Sequence, residues 1–253
     1  MEISIAQVQI FLLALTRVLA ILAQIPVLSG TGVPNQVKIA LGILFTMVIS
    51  PGQYLPVEAP TLSFIPLGMA LLNELIIGLL AGFAINITFS AFQMAAKVME
   101  IGSGFGSGQM FNPALGNVGS ALDQLFVMIS VMFFFASDGY HIFFIGLQRT
   151  FEIFPIMSGI PDFTIVKVFS NFSILIFAAV QMALPVFAAI ILADLTLGLL
   201  ARVAPQIQVF FLGLPLKIWL GLIAMYLTIQ IMLPIMESIF GSMGNRMLNI
   251  LGN

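Results

Sequence analysis

Six long apolar stretches, separated by short clusters of Pro, Gly and polar residues, dominate the sequence. They run over residues 3–28, 37–49, 62–92, 122–147, 166–200 and 209–236. Long apolar runs of this kind indicate helices, and those of about 18 residues or more are candidates for crossing a membrane. Only 7% of the chain is charged, against roughly 25% in a typical soluble domain. The sequence therefore predicts an all-α, polytopic membrane protein.

The lengths of these stretches do not fit simple crossings. A bilayer core of about 30 Å takes roughly 20 helical residues, whereas the third stretch has 31 residues, about 46 Å as one helix. The fifth has 35 residues and contains Pro185, and the second has only 13. Several polar residues also lie well inside the two long stretches: Asn73, Glu74, Asn86, Gln181 and Asp194. Because polar groups are costly in lipid, they should face protein, as buried links between helices, or line a water-filled path.

Charge and residue counts exclude several classes of function. Eight Lys and Arg against ten Asp and Glu give a net charge of −2. The basic residues are scattered singly, so no patch is suited to nucleic acid. With no Cys and a single His, His141, the chain lacks a thiolate nucleophile and cannot supply a multi-histidine metal site. If all six stretches cross, each side of the membrane collects three basic residues, so loop charge does not orient the N-terminus.

Small and polar residues recur at intervals of four along the third stretch. Glu74, Gly78, Gly82, Asn86 and Ser90 fall on one face of a helix. The two glycines would let another backbone approach closely. That partner is either a helix of the same chain or another subunit, and the spacing does not decide between them.

The last two stretches show the same spacing in Asp194, Gly198 and Arg202 and in Gly213, Lys217 and Gly221. Asp194 and Arg202 would lie about 12 Å apart along a helix axis, so each is expected to have a different partner. Pro205 and Pro215 bracket residues 206–214, which we interpret as the turn of a helical hairpin, with an ordinary loop as the alternative.

Residues 102–119 form the least membrane-like segment, with six of the 22 glycines. Glycine alternates strictly from 102 to 108, which should prevent a stable helix and leave the backbone mobile. The segment has no Lys and no βαβ context, so nucleotide binding is not expected. Its bulky apolar side chains are Phe105, Met110, Phe111 and Leu115. They suit a gate that fills an opening, although the residues alone favour a linker over a gate.

No constellation of residues points to catalysis. Asp138 and His141 are three residues apart and could meet, with Ser130 or Ser137 as a nucleophile. We expect both serines on the same helix as His141, where the geometry for attack is poor, and no Gly-x-Ser-x-Gly elbow is present. We therefore interpret Asp138 and His141 as a polar spot near a helix end and expect no enzyme activity, metal or cofactor.

A dense pattern around the join of the last two stretches is the most specific feature of the sequence. It consists of Asp194, Gly198, Ala201, Arg202, Pro205, Gln206, Gln208, Val209, Phe210, Gly213, Pro215 and Lys217. In this pattern the chain closely resembles the FliR family, the flagellar export-gate proteins related to the SctT component of virulence type III secretion. The resemblance extends over the whole chain, through Arg17, Pro26, Pro34, Glu74, Gly78, Gly82, Asn112, Pro113, Gly139, His141 and Pro155.

The resemblance implies a subunit of the flagellar type III export gate in the bacterial inner membrane, at the basal body. One copy would assemble with several copies of the sister proteins FliP and FliQ around a pore for unfolded export substrates, driven by other export components. The helical hairpins with long, broken helices would be completed by these partners. The chain would be one export-gate domain, with N-terminal helices (1–101), a glycine-rich plug loop (102–119) and C-terminal hairpins (120–253).

The resemblance also implies roles for individual residues. The plug of the closed pore would contain Gly102, Gly104, Phe105, Gly106, Gly108, Met110, Phe111, Asn112 and Pro113. Subunit packing and buried polar contacts would involve Arg17, Glu74, Gly78, Gly82, Asn86, Asp194, Gly198, Arg202, Gln206 and Lys217. Of these, Asp194, Arg202 and Lys217 are expected to hold the C-terminal hairpin against neighbouring subunits through buried charge pairs.

Two other classes of function remain as alternatives. A small-solute transporter should show two similar halves with broken helices at matching places, and no such internal repeat is visible. One His, no Cys and no close pair of acidic residues argue against a polytopic enzyme, because catalytic sites are commonly built from these residue types. The mass of the complex extracted in mild detergent discriminates between them, because a lone monomer would favour the transporter.

Overall fold

The computed structural model describes residues 4–29, 33–49, 61–105, 121–159, 165–206 and 209–251, and these contain helices and no strand. In chain order the helices are α1 (Ile5–Leu22), α2 (Pro26–Ser29), α3 (Asn35–Ile49), α4 (Phe64–Ser103), α5 (Ala121–Ala136), α6 (Gly139–Ile153), α7 (Ile165–Val203), α8 (Val209–Gly241) and α9 (Met243–Leu251). The prediction of an all-α fold is confirmed over this part of the chain.

Four of these helices are long and apolar enough to cross a membrane: α1, α4, α7 and α8. The pair α5 and α6, bent by 77° at its break, could count as a fifth crossing, and α3 is an apolar helix of shorter length. α4 has 40 residues, about 60 Å at 1.5 Å per residue and twice the thickness of a bilayer core. The protein is therefore a polytopic membrane protein whose long helices exceed what a bilayer alone can cover.

Three of the differences between predicted and observed boundaries concern the predicted site residues. The stretch 122–147 is two helices rather than one, because Asp138 takes a left-handed conformation, with φ 55°, directly before α6. Ser130 and Ser137 are consequently not on the same helix as His141. The predicted turn 206–214 is also wrong at its C-terminal end, since α8 begins at Val209 and contains Pro215.

The third difference lies at the start of the glycine-rich segment. Gly102 remains helical as part of α4, and the chain leaves the helix only at Gly104, with φ 73°. The expectation that alternating glycines prevent a helix from residue 102 onward is therefore wrong at its first member. The physical reason is packing, because residues of α7 fill the space beside Gly102 and so compensate for its low helix propensity.

The chain divides into two compact units. Unit 1 consists of Met1–Thr88, Phe134–Phe172 and Phe240–Asn253, and unit 2 of Phe89–Phe133 and Ser173–Ile239. Unit 1 therefore holds α1, α3, α6, α9 and the first part of α4, and unit 2 holds the end of α4 with most of α7 and α8. The predicted division into N-terminal helices (1–101), a plug loop (102–119) and C-terminal hairpins (120–253) was made on functional grounds. It stays a prediction.

Each unit has its own buried apolar core. In unit 1, Leu13, Val18 and Ile21 of α1 are fully buried. In unit 2, the end of α4 contributes a buried face made of Phe89, Phe92, Ala95, Ala96 and Met99. α7 and α8 instead expose large side chains along their length, including Phe169 (68%), Leu192 (65%), Trp219 (67%) and Tyr226 (76%). These faces require lipid or protein to cover them.

Candidate functional site

A buried ion pair joins α1 to α4 in unit 1. Nε of Arg17 donates to Oε2 of Glu74 at 2.6 Å, Nη2 lies 2.6 Å from the same oxygen, and the two side chains are 0% and 1% exposed. The guanidinium also lies 4.4 Å from the ring centroid of Phe151. Both charges are therefore buried, and each is compensated by the other.

The same ion pair holds the C-terminal end of α6. Nη1 of Arg17 donates to the carbonyl oxygens of Thr150 (2.9 Å) and Phe154 (2.7 Å). Oε1 of Glu74 accepts from the backbone N–H of Met157 at 3.3 Å, and Asn73 Nδ2 donates to the carbonyl of Gly159 at 2.8 Å. The last carbonyls of a helix lack partners within the helix. Arg17 and Glu74 thus satisfy backbone groups where α6 ends.

The Gly78 and Gly82 stripe of α4 packs against α1 and the turn that follows it. A Cβ at Gly78 would lie 2.7 Å from the carbonyl oxygen of Arg17, and one at Gly82 would lie 2.9 Å from Nε2 of Gln24. Asn86 Nδ2 donates to the carbonyl of Gln24 at 3.2 Å, and Gln24 Nε2 donates to that of Leu79 at 2.7 Å. These contacts supply a partner for the stripe within the chain. A role of these residues in contacts with other subunits stays a prediction.

In unit 2, Lys217 of α8 forms an ion pair with Asp194 of α7. The two side chains are 28% and 48% exposed. Asp194 and Lys217 face each other across the hairpin, and both reach solvent in the isolated chain. That these residues make buried charge pairs with neighbouring subunits stays a prediction. As predicted, Asp194 has a partner other than Arg202.

A cleft of about 250 Å³ lies between α7 and α8 near their join. It is lined by Asp194, Leu197, Gly198, Ala201, Gly213, Leu214 and Lys217. A Cβ at Gly198 would meet nothing within 4 Å, so the cleft is open on that side. Arg202 and Gln206 lie beyond it and are exposed. Of the predicted packing residues in this hairpin, the structure thus brings Asp194, Gly198 and Lys217 into one cleft. Arg202 and Gln206 lie on the adjacent surface.

The first three predicted plug residues lie at the end of α4. Gly102 is in the helix, Gly104 takes a positive φ of 73°, and Phe105 is half-buried. The remaining ones lie outside the described residues: Gly106, Gly108, Met110, Phe111, Asn112 and Pro113.

The polar spot at the start of α6 does not form a catalytic arrangement. Nδ1 of His141 lies 4.0 Å from Oδ1 of Asp138, and these side chains are 66% and 74% exposed. Ser130 Oγ donates to the carbonyl of Val127 in its own helix at 2.7 Å. Among the described residues no group of three or more His, Asp or Glu side chains could hold a metal ion.

Two residues that organise unit 1, Gln9 and Arg246, were not among the predicted site residues. Gln9 exchanges two hydrogen bonds of 2.9 Å with the backbone of Leu62. Arg246 of α9 donates to Ser242 Oγ at 2.7 Å and to Thr88 Oγ1 at 3.4 Å, and burial lowers its pKa to about 10. Polar residues inside the first apolar stretch and near the C-terminus were the available signal. Their partners are largely backbone atoms or hydroxyls, which leave no pattern in a sequence.

The fold and these sites define a polytopic helical membrane protein in which polar side chains join helices, and in which wide apolar faces are left for lipid or other chains. The chain belongs to the family described as Bacterial export proteins, family 1, which matches residues 8–243. The resemblance to the FliR family is thereby confirmed, and the protein is a type III secretion export component located in a membrane.

Individual relatives cover nearly the whole chain. It is 29% identical over 240 residues to the flagellar biosynthetic protein FliR of Escherichia coli K12, covering 94% of this chain and 90% of that protein. The FliR protein of Bacillus subtilis is 25% identical over 247 residues, with 95% and 94% covered. The Yop proteins translocation protein T of Yersinia pestis is 27% identical over 215 residues, with 82% and 80% covered. Flagellar biosynthetic proteins and a Yop translocation protein are thus both similar to this chain.

Proposed function

We propose that this chain is a subunit of the flagellar export gate, where it forms part of the wall and the plug of a pore for unfolded flagellar proteins. It assembles with FliP and FliQ subunits in the bacterial inner membrane, at the basal body. In this proposal the chain is a passive conduit without catalysis or cofactor, and other export components supply the energy.

The single observation that carries the proposal is the length and exposure of α7 and α8. They have 39 and 33 residues, about 58 and 50 Å, and expose large apolar side chains throughout. A bilayer core of about 30 Å cannot cover helices of this length, and exposing the rest of their apolar surface to water would be unfavourable. Helices of other subunits are the covering that fits both requirements.

The plug is supported by the way in which the glycine-rich segment begins. Ser103 at the end of α4 is fully buried, and Gly104 then turns the chain out of the helix with φ 73°. The sequence beyond combines glycines with Met110 and Phe111. A gate needs this combination, because apolar side chains exclude water and ions while a backbone rich in glycine lets them move aside for a passing chain.

Deleting residues 104–108 tests the plug. The complex carrying this deletion is expected to assemble normally and to leak small ions, because side chains that close the pore are displaced. The measurement is potassium efflux from vesicles reconstituted with the purified complex, beside co-purification of the partner subunits. Gly241→Ala, where a Cβ meets nothing within 4 Å, serves as the control. Tight vesicles with normal assembly would make the segment a linker.

A further inference from the structure

α6 exposes a polar face, in contrast to the apolar faces of α7 and α8. Its exposed residues recur at intervals of three or four along one side of the helix. Four of the five are polar, and together they form what we call the outer face of α6: His141, Ile145, Gln148, Arg149 and Glu152. On this face Nε2 of Gln148 donates to Oε1 of Glu152 at 3.1 Å.

The opposite side of α6 fixes the direction in which the outer face points. Phe143, Leu147 and Phe151 are buried in the core of unit 1. α9 lies against Gly146, where an added Cβ would be 3.2 Å from Cα of Gly244. α6 therefore cannot rotate to hide its polar side chains without exposing large apolar ones to water.

Part of the outer face lies at the depth at which α1 crosses the membrane. α1 is an apolar helix of 18 residues, about the length of one crossing. Arg17 is well inside it, about 18 Å along the axis from the first residue, and its Nη1 donates to the carbonyl of Thr150 at 2.9 Å. Arg149 and Glu152 flank Thr150 in α6 and are exposed. Their charged groups consequently lie at membrane depth.

Lipid does not fit as the neighbour of this face, because charged and hydrogen-bonding side chains are costly at membrane depth. The face combines the opposite charges of Arg149 and Glu152 with an amide and an imidazole, so a partner helix would have to match each of them separately. Water satisfies all of them at once. The mixture also lacks the single sign of charge by which a pore selects one kind of ion, so it suits a wall along which chains of varied sequence pass.

We propose that the outer face of α6 lines the water-filled passage of the assembled complex and contacts the unfolded polypeptide in transit. The inference rests on the proposed function and assigns the pore wall to a particular surface of this chain. The apolar faces of α7 and α8 then belong to lipid and partner helices, and the polar face of α6 belongs to the substrate.

The absence of Cys from the chain makes thiol accessibility a direct test. Ile145→Cys places the only thiol of the chain on the outer face, and Ile231→Cys is the matched control on the apolar surface of α8. The two isoleucines are 53% and 55% exposed in the isolated chain.

The measurement uses the complex purified in mild detergent with cysteine-free partner subunits, so that both ends of the passage are open to the reagent. A water-soluble maleimide should modify Ile145→Cys about tenfold faster than Ile231→Cys, because a thiol covered by apolar groups is less ionised and less reactive. The mass of the tagged chain reports the modification.

A stalled substrate separates the passage from an ordinary wet surface. An export substrate fused to a domain that does not unfold should remain in the complex with its chain in the passage. Its presence should slow the modification of Ile145→Cys several-fold, whereas a face that meets bulk water would react at the same rate with and without it.

Modification of Ile145→Cys as slow as that of Ile231→Cys would overturn the proposal, because lipid or a partner then covers the outer face. Fast modification that the stalled substrate does not slow would overturn it too. Should Ile145→Cys fail to assemble, Gln148→Cys on the same face decides by the same two measurements. A substrate that stalls in the complex without protecting the thiol removes only this inference, whereas a substrate that never co-purifies with the complex contradicts the proposed function as well.

Discussion

At the scale of single residues, buried charge in this protein is used where a helix ends. A buried ion pair seldom stabilises a protein more than apolar residues of the same volume would, so the value of Arg17 and Glu74 lies in what they position. They satisfy the carbonyls of Thr150 and Phe154 and the N–H of Met157, whose φ is 72°. Such a backbone conformation costs of the order of 1–3 kcal/mol and persists only where its surroundings impose it.

Replacing Glu74 by Gln should be among the most damaging changes in unit 1. It leaves the guanidinium of Arg17 buried without its counter-charge, so the free energy of unfolding should fall by about 3–5 kcal/mol. Thermal unfolding in detergent, followed by circular dichroism, measures the loss. Glu152→Gln is the matched control, since Glu152 is exposed and surface changes stay within about 0.5 kcal/mol.

Replacing both Arg17 and Glu74 by apolar residues separates the effect of charge on stability from the effect of packing. Arg17→Met combined with Glu74→Leu should unfold at a higher temperature than Glu74→Gln alone, because no buried charge is left uncompensated. Equal unfolding temperatures for Glu74→Gln and Glu152→Gln would contradict the role given to the pair.

The sequence identifies the polar and small residues of α4 better than it identifies the groups that they contact. Glu74, Gly78, Gly82 and Asn86 are recognisable because polar and small residues are unusual at regular spacing in an apolar helix. What they contact is mostly backbone, at Arg17, Gln24 and Met157. Every residue has the same backbone groups, so a sequence cannot indicate which carbonyl or N–H will be reached.

At the scale of elements, the C-terminal helix α9 is held on α6 by close backbone contact. A Cβ at Gly244 would lie 3.2 Å from the carbonyl oxygen of Ile142, and one at Gly146 would lie 3.2 Å from Cα of Gly244. Met247 and Ile250 of α9 are fully buried. The helix has nine residues, too few to be stable alone, so its structure depends on this docking.

Gly146→Leu should release α9 while leaving the long helices in place. Overfilling a packed contact costs about 1–3 kcal/mol, which would raise amide hydrogen exchange throughout α9 by roughly an order of magnitude. Exchange monitored by mass spectrometry on the chain in detergent measures the effect. Gly241→Leu is the control, because a Cβ at Gly241 meets nothing within 4 Å. Unchanged protection of α9 in Gly146→Leu would show that other contacts hold it.

Element types were predictable from the sequence, whereas several boundaries were not. Apolar length alone identifies α4, α7 and α8, since no other regular structure buries such runs. Pro215 indicated a loop but lies inside α8, as prolines in membrane helices often do when neighbouring groups satisfy the freed carbonyl. Asp138 ends one helix by a left-handed conformation that is available to Asn and Asp, and nothing in the apolar pattern marks it.

At the scale of the whole molecule, the apolar surface is larger than the chain can bury by itself. In an apolar 18-residue window of α7 and one of α8, only 39% and 28% of the residues are buried. The ion pair of Asp194 and Lys217 lies on this surface and is part-exposed, so in the free chain it contributes about 0–1 kcal/mol. Its larger effect is expected when partner helices cover the hairpin and remove water from it.

The proposed assembly with other subunits can be tested at Arg202. It lies in the last turn of α7 and is exposed, and among the described residues it forms no ion pair. A guanidinium at the end of a long apolar helix is well placed to bind a carboxylate or the helix carbonyls of another chain. Truncating one member of such a contact across an interface costs about 2–5 kcal/mol.

Arg202→Ala should therefore reduce recovery of the two sister subunits with the tagged chain, while its own expression and helix content stay unchanged. Quantitative co-purification after mild detergent extraction is the measurement. Arg149→Ala removes another exposed arginine, from α6, and should leave recovery intact, which separates a local contact from a loss of surface charge. Undiminished recovery with Arg202→Ala would place the subunit interface elsewhere, whereas equal losses in both variants would indicate a general effect of charge on insertion. Only a selective loss would connect the exposed end of α7 to the partners that are proposed to cover its apolar face.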